Sequence, residues 1–491
     1  MRKGIDILVF CCLLSSACYG QISSSLGFFE NLPQKVYANP ALAPTQKINV
    51  GLPLLSGTFV EHGNNWFDPN KTLSVDENGT ATINTEAILD KIDESAQVRQ
   101  RQYNELFHVG VFIGEKMNSY LHLRATERVN FGFAIPEDMI KLAFYGNAAT
   151  EKFDASTADF SSLNLSLIHY REYSLGFGTQ INDWLRAGVT VKYLYGMEHV
   201  ETEMNQLKLR TDPVTYDLSS SGSLDLRTSG IYGLLEDDAE SNQENISNYL
   251  FGMNNSGLGF DLGVTAQLFD NLEVQVSALD IGWINWRSDI ATYSIDDASY
   301  LYSGLDLTDI LFDEENFDEN FESELDSIVD ELESRFVPDR ETESYSTSLN
   351  GVMRYGAAYD FEEFINLKGS AWLSFTHGLE TGFSENLLGI GYTHRVGNWL
   401  EANINLNGRN MRSFALGAGL VLKGGPVQFY FLVNNYRIGE YTSVTVEQDA
   451  NSNSRFFYPS NPSSLIANFG LNFIVGEKRE TSGPRSFMDD E

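Results

Sequence analysis

The sequence predicts an all-β fold, a transmembrane antiparallel β-barrel of about 14 strands, and three observations predict it. Many stretches alternate apolar and polar residues with a period of two, the mark of strands with one face apart from water. Long and short connections segregate by parity along the chain. No run of 18 or more apolar residues follows the first 20 of the 491 residues, which excludes a helical membrane protein. Barrel strands alternate, so they leave average hydropathy low, here −0.23.

The stretch from Gly397 to Leu422 shows the pattern most plainly. Leu400, Ala402, Ile404 and Leu406 point one way, and Glu401, Asn403, Asn405 and Asn407 the other. After a turn at Gly408 and Arg409, Phe414, Leu416, Ala418, Leu420 and Leu422 face Ser413, Ala415, Gly417, Gly419 and Val421. A soluble sandwich can show this in places, whereas a membrane barrel needs it on every strand. The counts of 23 Tyr and 32 Phe suit aromatic girdles at two membrane interfaces.

The chain opens with Arg2 and Lys3, an apolar run from Ile7 to Leu14, and small residues up to Gly20. This reads as a secretory signal peptide, 1–20, too short to span a bilayer and suited to cleavage before Gln21. A rival reading takes Ser15 to Cys18 as a lipoprotein site with a lipidated Cys18. All three cysteines (Cys11, Cys12, Cys18) lie here, so the mature chain has no disulfide and no thiol chemistry. The formal charge of −35 argues against nucleic acid as a partner, because phosphates require a basic surface.

Gln21 to Gln46 carries Pro40 and Pro44 and little periodicity, which denies it a regular strand and makes it a hatch or plug, 21–46. The barrel then occupies 47–476. A first strand runs from Lys47 to Val60, with Pro53 marking a bend or bulge, and a polar excursion follows over 61–104. Short turns fall near 115–117, 181–183, 269–271, 360–364, 397–398 and 424–425. The long segments 61–104, 134–163, 200–256, 287–345 and 437–462 all fall on the alternate connections. Six short turns and seven opposite connections require 14 strands, with both termini on the short-turn side. Outer-membrane barrels place short turns in the periplasm and long loops outside. The acidic loop 306–335 holds 13 carboxylates and one cation, and Phe317, Phe321, Leu325, Ile328 and Leu332 recur at helical spacing. A polar tail, 477–491, closes the chain on the periplasmic side.

No chemistry-bearing constellation emerges. The seven histidines lack ligand spacing, no serine sits in a nucleophile elbow, and the acidic loop lacks the spacing of a calcium loop, so no catalytic residue, metal or cofactor is expected. The glycine pairs Gly176 and Gly178, Gly257 and Gly259, and Gly417 and Gly419 lie inside strands with no helix after them, and read as bare lumen positions where a plug or ligand can approach. Candidate ligand or lumen residues are Arg186, Lys192, Asp261, Glu273 and Gln275 on three successive strands. Cross-strand pairing that simply fills the lumen outweighs substrate contact as their role.

Asn39, Pro40 and Ala41, placed between signal and first strand, resemble the hatch motif of FadL-type outer-membrane barrels, and join the candidate site residues. Ser277 to Trp286, with Tyr193 to Gly196, resembles a Bacteroidetes outer-membrane family known only as a domain of unknown function. The wider group includes long-chain fatty acid transporters and barrel subunits that partner type IX secretion and gliding machinery. The resemblance implies a 14-stranded barrel in the outer membrane of a Gram-negative bacterium, surrounded by outer-membrane lipids. For function it implies passive uptake of a hydrophobic or amphiphilic small molecule. The alternative is a non-transporting scaffold, a partner subunit of an export complex.

Overall fold

The computed structural model describes residues 24–66, 72–75, 81–92, 94–114, 118–147, 153, 156–215, 217–231, 252–295, 301–302, 339–340, 343–361, 368–379, 386–409, 413–436, 441–449, 452–459 and 464–477. The expected signal peptide, acidic loop 306–335 and tail beyond Glu477 lie outside them.

Fourteen antiparallel strands close into a barrel. Strand β1 has two arms, Gln46–Gly51 and Thr58–Asn64. It is followed by β2 (Ser95–Ile113), β3 (Ser119–Pro136), β4 (Asn164–Gln180), β5 (Leu185–Asn205), β6 (Asn255–Phe269) and β7 (Leu272–Trp286). Strand β8 also has two arms, Tyr345–Ser348 and Val352–Asp360. Then come β9 (Gly369–Gly378), β10 (Asn386–Val396), β11 (Leu400–Arg409), β12 (Ser413–Gly424), β13 (Val427–Tyr436) and β14 (Ser464–Glu477). Each pairs with its neighbours in sequence, and both arms of β1 pair with β14 on one side and β2 on the other, which closes the sheet. Closure leaves the fourteen strands of the ring itself without a free edge.

The alternation works as the sequence predicts. On β11, Glu401, Asn403, Asn405 and Asn407 are buried in the lumen, while Ile404 is 61% exposed on the outside. Val50, Val109, Leu123, Leu175, Val191, Leu262, Val276, Leu373, Ile390, Phe431 and Phe473 continue this exposed apolar belt around the barrel. Strand β7 changes phase partway. Asp280 takes φ +55 at a register shift opposite Phe260 and Leu262, so Val276 before it and Ile281 and Trp283 after it all face outward. One extra residue in a ladder flips every later side chain.

Two boundaries differ from the sequence reading. The excursion 61–104 contains the last four residues of the upper arm of β1, a small hairpin of Leu73–Val75 with Ala81–Ile83, a helical turn Thr85–Leu89, and the first ten residues of β2. Polar residues such as Arg99, Gln100, Arg101 and Gln102 conceal the strand, because alternation of polarity is absent from this stretch. The expected first strand 47–60 is interrupted over residues 52–57, where Pro53 lies and Leu54 takes φ +63. Leu55 and Ser56 instead bond back to the Leu52 carbonyl.

At the long-loop end, helix α1 (Glu137–Tyr145) packs with a four-stranded sheet of segments 157–159, 208–211, 218–221 and 301–302. Phe153, Ala158 and Phe160 form their shared core with Met139, Leu142, Tyr145, Leu207 and Leu209.

Candidate functional site: the filled lumen

Residues 24–45 lie inside the barrel, and glycines on the wall make the room. Gly178, Gly188 and Gly263 are register partners on β4, β5 and β6. A Cβ on Gly178 would lie 2.6 Å from the Pro40 carbonyl oxygen, one on Gly188 would overlap Pro40 and lie 2.5 Å from the Ala41 nitrogen, and one on Gly263 would overlap the Asn39 side chain. The Asn-Pro-Ala segment therefore sits against bare backbone. Asn39 Nδ2 donates to the carbonyls of Val264 and Val276, its Oδ1 accepts from the Ala41 N–H, and Ser277 Oγ donates to the Ala38 carbonyl at 2.8 Å. Elsewhere a Cβ on Gly419 would meet the Phe29 ring at 2.6 Å, one on Gly389 would meet Ser24, and one on Gly356 would meet Phe28.

Of the singled-out glycine pairs, Gly178 and Gly419 thus receive the plug. Gly176 faces His122, Gly259 is in ordinary contact with Leu349 and Lys192, and Gly417 faces Asn405 and Asn434. A Cβ on Gly257 would strike the backbone of Trp283, so it serves close strand approach rather than plug approach.

The plug is amphipathic in three dimensions although it has no regular period. Leu26, Phe29, Leu32 and Ala38 pack on Val421, Tyr430 and Leu432 of β12 and β13, and Phe28 stacks on Trp372 with centroids 4.6 Å apart. Its polar side is bonded to the wall. Glu401 accepts from the backbone N–H groups of Glu30 and Asn31, both at 2.9 Å, and from the Asn31 side chain. Gln34 and Asn472 exchange hydrogen bonds, and Tyr37 donates to Glu105 at 2.7 Å. Burial pulls the Lys35 ammonium below its ordinary range, against the attraction of Glu273, Glu30 and Glu401.

The five lumen candidates separate into two layers. Arg186, Glu273 and Gln275 belong with the plug: Arg186 Nε donates to the Ala41 carbonyl at 3.2 Å, and Gln275 lies against Gly27 and Gly356. Lys192 and Asp261 belong to a second, wholly enclosed cluster. Lys192 Nζ reaches Asp261 at 2.7 Å, Asp280 at 2.5 Å and Glu172 at 3.6 Å, and Arg128 reaches Glu172 at 2.8 Å and Asp280 at 3.1 Å. Arg128, Glu172 and Asp280 were not among the sequence candidates. The inward alternation of β3 and β4 is a signal for Arg128 and Glu172, whereas Asp280 turns inward only through the bulge. Asp280 is held there by its own N–H donating to Asp261 and by both cations.

Between plug and wall, beside the interruption of β1, lies a cavity of about 30 Å³. Tyr37, Phe59, Tyr103 and Tyr430 give it a largely aromatic lining beside Leu26, and Gln34, Glu105 and Arg128 add polar ends. It holds water-sized occupants only. Among the described residues no group of three or more His, Cys, Asp or Glu could hold a metal ion.

An antiparallel barrel with an apolar exterior, a polar lumen and its own N-terminal segment folded inside defines the class: a plugged β-barrel. The chain belongs to a family of unknown function, DUF5723, whose model matches residues 40–434. No curated protein matches the chain. Among solved structures, the chain is similar to the Pseudomonas putida toluene transporter TodX (9% identity, 93% of this chain and 94% of that one, TM-score 0.39). It is also similar to the Ralstonia pickettii toluene transporter TbuX (8%, 94% and 96%, 0.39) and to a Pseudomonas aeruginosa FadL homologue (10%, 92% and 96%, 0.40).

Proposed function

We propose that the protein is an outer-membrane channel of FadL-like type that lets a hydrophobic or amphiphilic small molecule cross passively, with its short turns and both termini in the periplasm. The observation that carries this reading is the seat of the plug. The wall is closed by backbone hydrogen bonds all round, whereas the plug is a separate segment laid on glycines, and beside it lies a cavity with aromatic walls and polar ends. A cavity of about 30 Å³ is too small for such a cargo, so passage requires the plug to shift. The exposed apolar belt supports lipid around the barrel.

A tether tests the reading. A Cβ on Gly389 would lie 2.8 Å from Ser24 Cβ, so the plug end must move outward by about 1 Å to reach the ~3.8 Å of a disulfide, and all three native cysteines lie within the first 18 residues. In liposomes, wild-type protein and the reduced S24C/G389C variant should admit an amphiphilic dye, and oxidation should stop it. Dye entry equal to that of empty liposomes in the reduced protein would refute transport.

The packed lumen favours a second reading, a membrane scaffold that docks an export complex. The enclosed cluster around Lys192 and the bonded plug suit a static barrel. Native mass spectrometry of gently extracted protein separates the two: a stoichiometric second subunit supports the scaffold, and a lone barrel opposes it.

A further inference from the structure

The enclosed cations of the lumen are not alike. Arg128 and Lys192 are covered by three carboxylates, as described above. Arg124, on the same inner face of β3, is 2% exposed and, among the described residues, has no carboxylate within ion-pair reach. Its Nε donates to Ser174 Oγ at 3.3 Å, its guanidinium lies under the Tyr37 ring at 3.9 Å, and both Nη groups are without a hydrogen-bond partner. A guanidinium buried in this way calls for a counter-charge. Beside it on the inner face are two more buried groups without partners: His122, 1% exposed with both ring nitrogens unmade, and Thr190, 0% exposed with its hydroxyl unmade. They meet across Gly176, which is the register partner of both. A Cβ there would run into the His122 ring and lie 2.8 Å from Thr190 Oγ1.

We propose that Arg124, His122 and Thr190 form a binding site for one monatomic anion of the halide class. Two Nη groups, a hydroxyl and one imidazole N–H are all donors. A halide accepts from every one of them and brings the negative charge that the guanidinium lacks, whereas a water there would accept from the guanidinium, donate to the second imidazole nitrogen and the hydroxyl oxygen, and leave the charge unbalanced. Two carboxylates on the same inner wall are tied to other groups: Glu105 accepts from Tyr37 and contacts His108 at 2.8 Å, and Glu172 Oε2 is ion-paired with Arg128 and Lys192. Over Gly176 even one added carbon would meet the His122 ring and Thr190, so that side has no room for the tail of a larger anion. Bound there, the ion supplies the counter-charge that an isolated buried guanidinium needs. It also fixes the cation on which Tyr37 of the plug stacks. The site does not depend on the transport reading.

Chloride and bromide are the probes, used on the whole protein in detergent, with sodium gluconate holding ionic strength constant. Heat-modifiable gel mobility should show a saturable rise in unfolding temperature with chloride in the wild type, and R124Q should abolish it. T190V, which removes one donor at constant shape, should weaken the apparent halide affinity about 5-fold, a single hydrogen bond's worth. T190V keeps the test decisive should R124Q fail to fold. Crystals grown in bromide should show an anomalous peak between Arg124 and Thr190. A halide response absent from the wild type, or equally strong in the variants, would overturn the assignment, as would water in place of that peak.

Discussion

Gly188→Val strikes the plug at its seat. The new Cβ would overlap Pro40 and lie 2.5 Å from the Ala41 nitrogen, so it collides with backbone rather than with a side chain able to rotate away. The wall cannot yield, because Gly188 is paired to Gly178 on one side and Gly263 on the other within long ladders. The plug must therefore lift. Overpacking of this kind costs ~1–3 kcal/mol, which raises the undocked population about 5- to 150-fold. Full release of the segment also forfeits four wall bonds: two from Asn39 Nδ2, one from Ser277 and one from Arg186. At roughly 0.5–1.5 kcal/mol each they sum to about 2–6 kcal/mol, so the strain is comparable with what holds the segment down. Single-channel recording in planar bilayers should show frequent openings in G188V, and protease added from the short-turn side should cut the plug faster. Gly132→Val is the control, since a Cβ there meets only Ser166 Cβ at 3.9 Å. If G188V stays as closed and as protease-resistant as G132V, the argument that glycines seat the plug is wrong.

Other perturbations read other parts of the structure. Glu401→Gln removes the charge that accepts from Glu30 and Asn31, and should loosen the first half of the plug by about 1–3 kcal/mol, measured as faster hydrogen exchange at the amides of those two residues. Lys192→Met leaves Asp261 and Asp280 facing one another with one cation fewer. It should cost about 3–5 kcal/mol in urea unfolding, and the K192M/D261N double variant should recover part of that loss; a purely additive pair would contradict direct coupling. Ile404→Arg places a charge on the exposed belt and should cost about 2–4 kcal/mol when the barrel is refolded in lipid vesicles. An unchanged stability there would remove Ile404 from the lipid-facing surface.

The barrel was legible in the sequence because two independent periods carry it. The alternation on β11 and β12 gives the faces, and the parity of loop lengths gives the strand count, with neither requiring knowledge of the other. What escaped are the places where a local irregularity overrides the period. Asp280 reads as an outward position by counting from Val276, yet a single shift with positive φ turns it inward to join Arg128 and Lys192. The start of β2 escaped because alternation of polarity, the signal used to find strands, is missing around Arg99 to Gln102. The plug escaped in detail for a different reason: its order is imposed from outside, by glycines spaced along six strands, and a segment without its own period carries no sign of where Phe29 or Pro40 will rest. The signal for its seat was present, but in the wall. Gly178, Gly188 and Gly263 are far apart in sequence and become one row only once the registers of β4, β5 and β6 are known. The Asn-Pro-Ala fragment is then explained by fit: Asn39 caps its own turn through Oδ1 while Nδ2 reaches two wall carbonyls, and the proline that follows lies flat on backbone where any side chain from the wall would displace it.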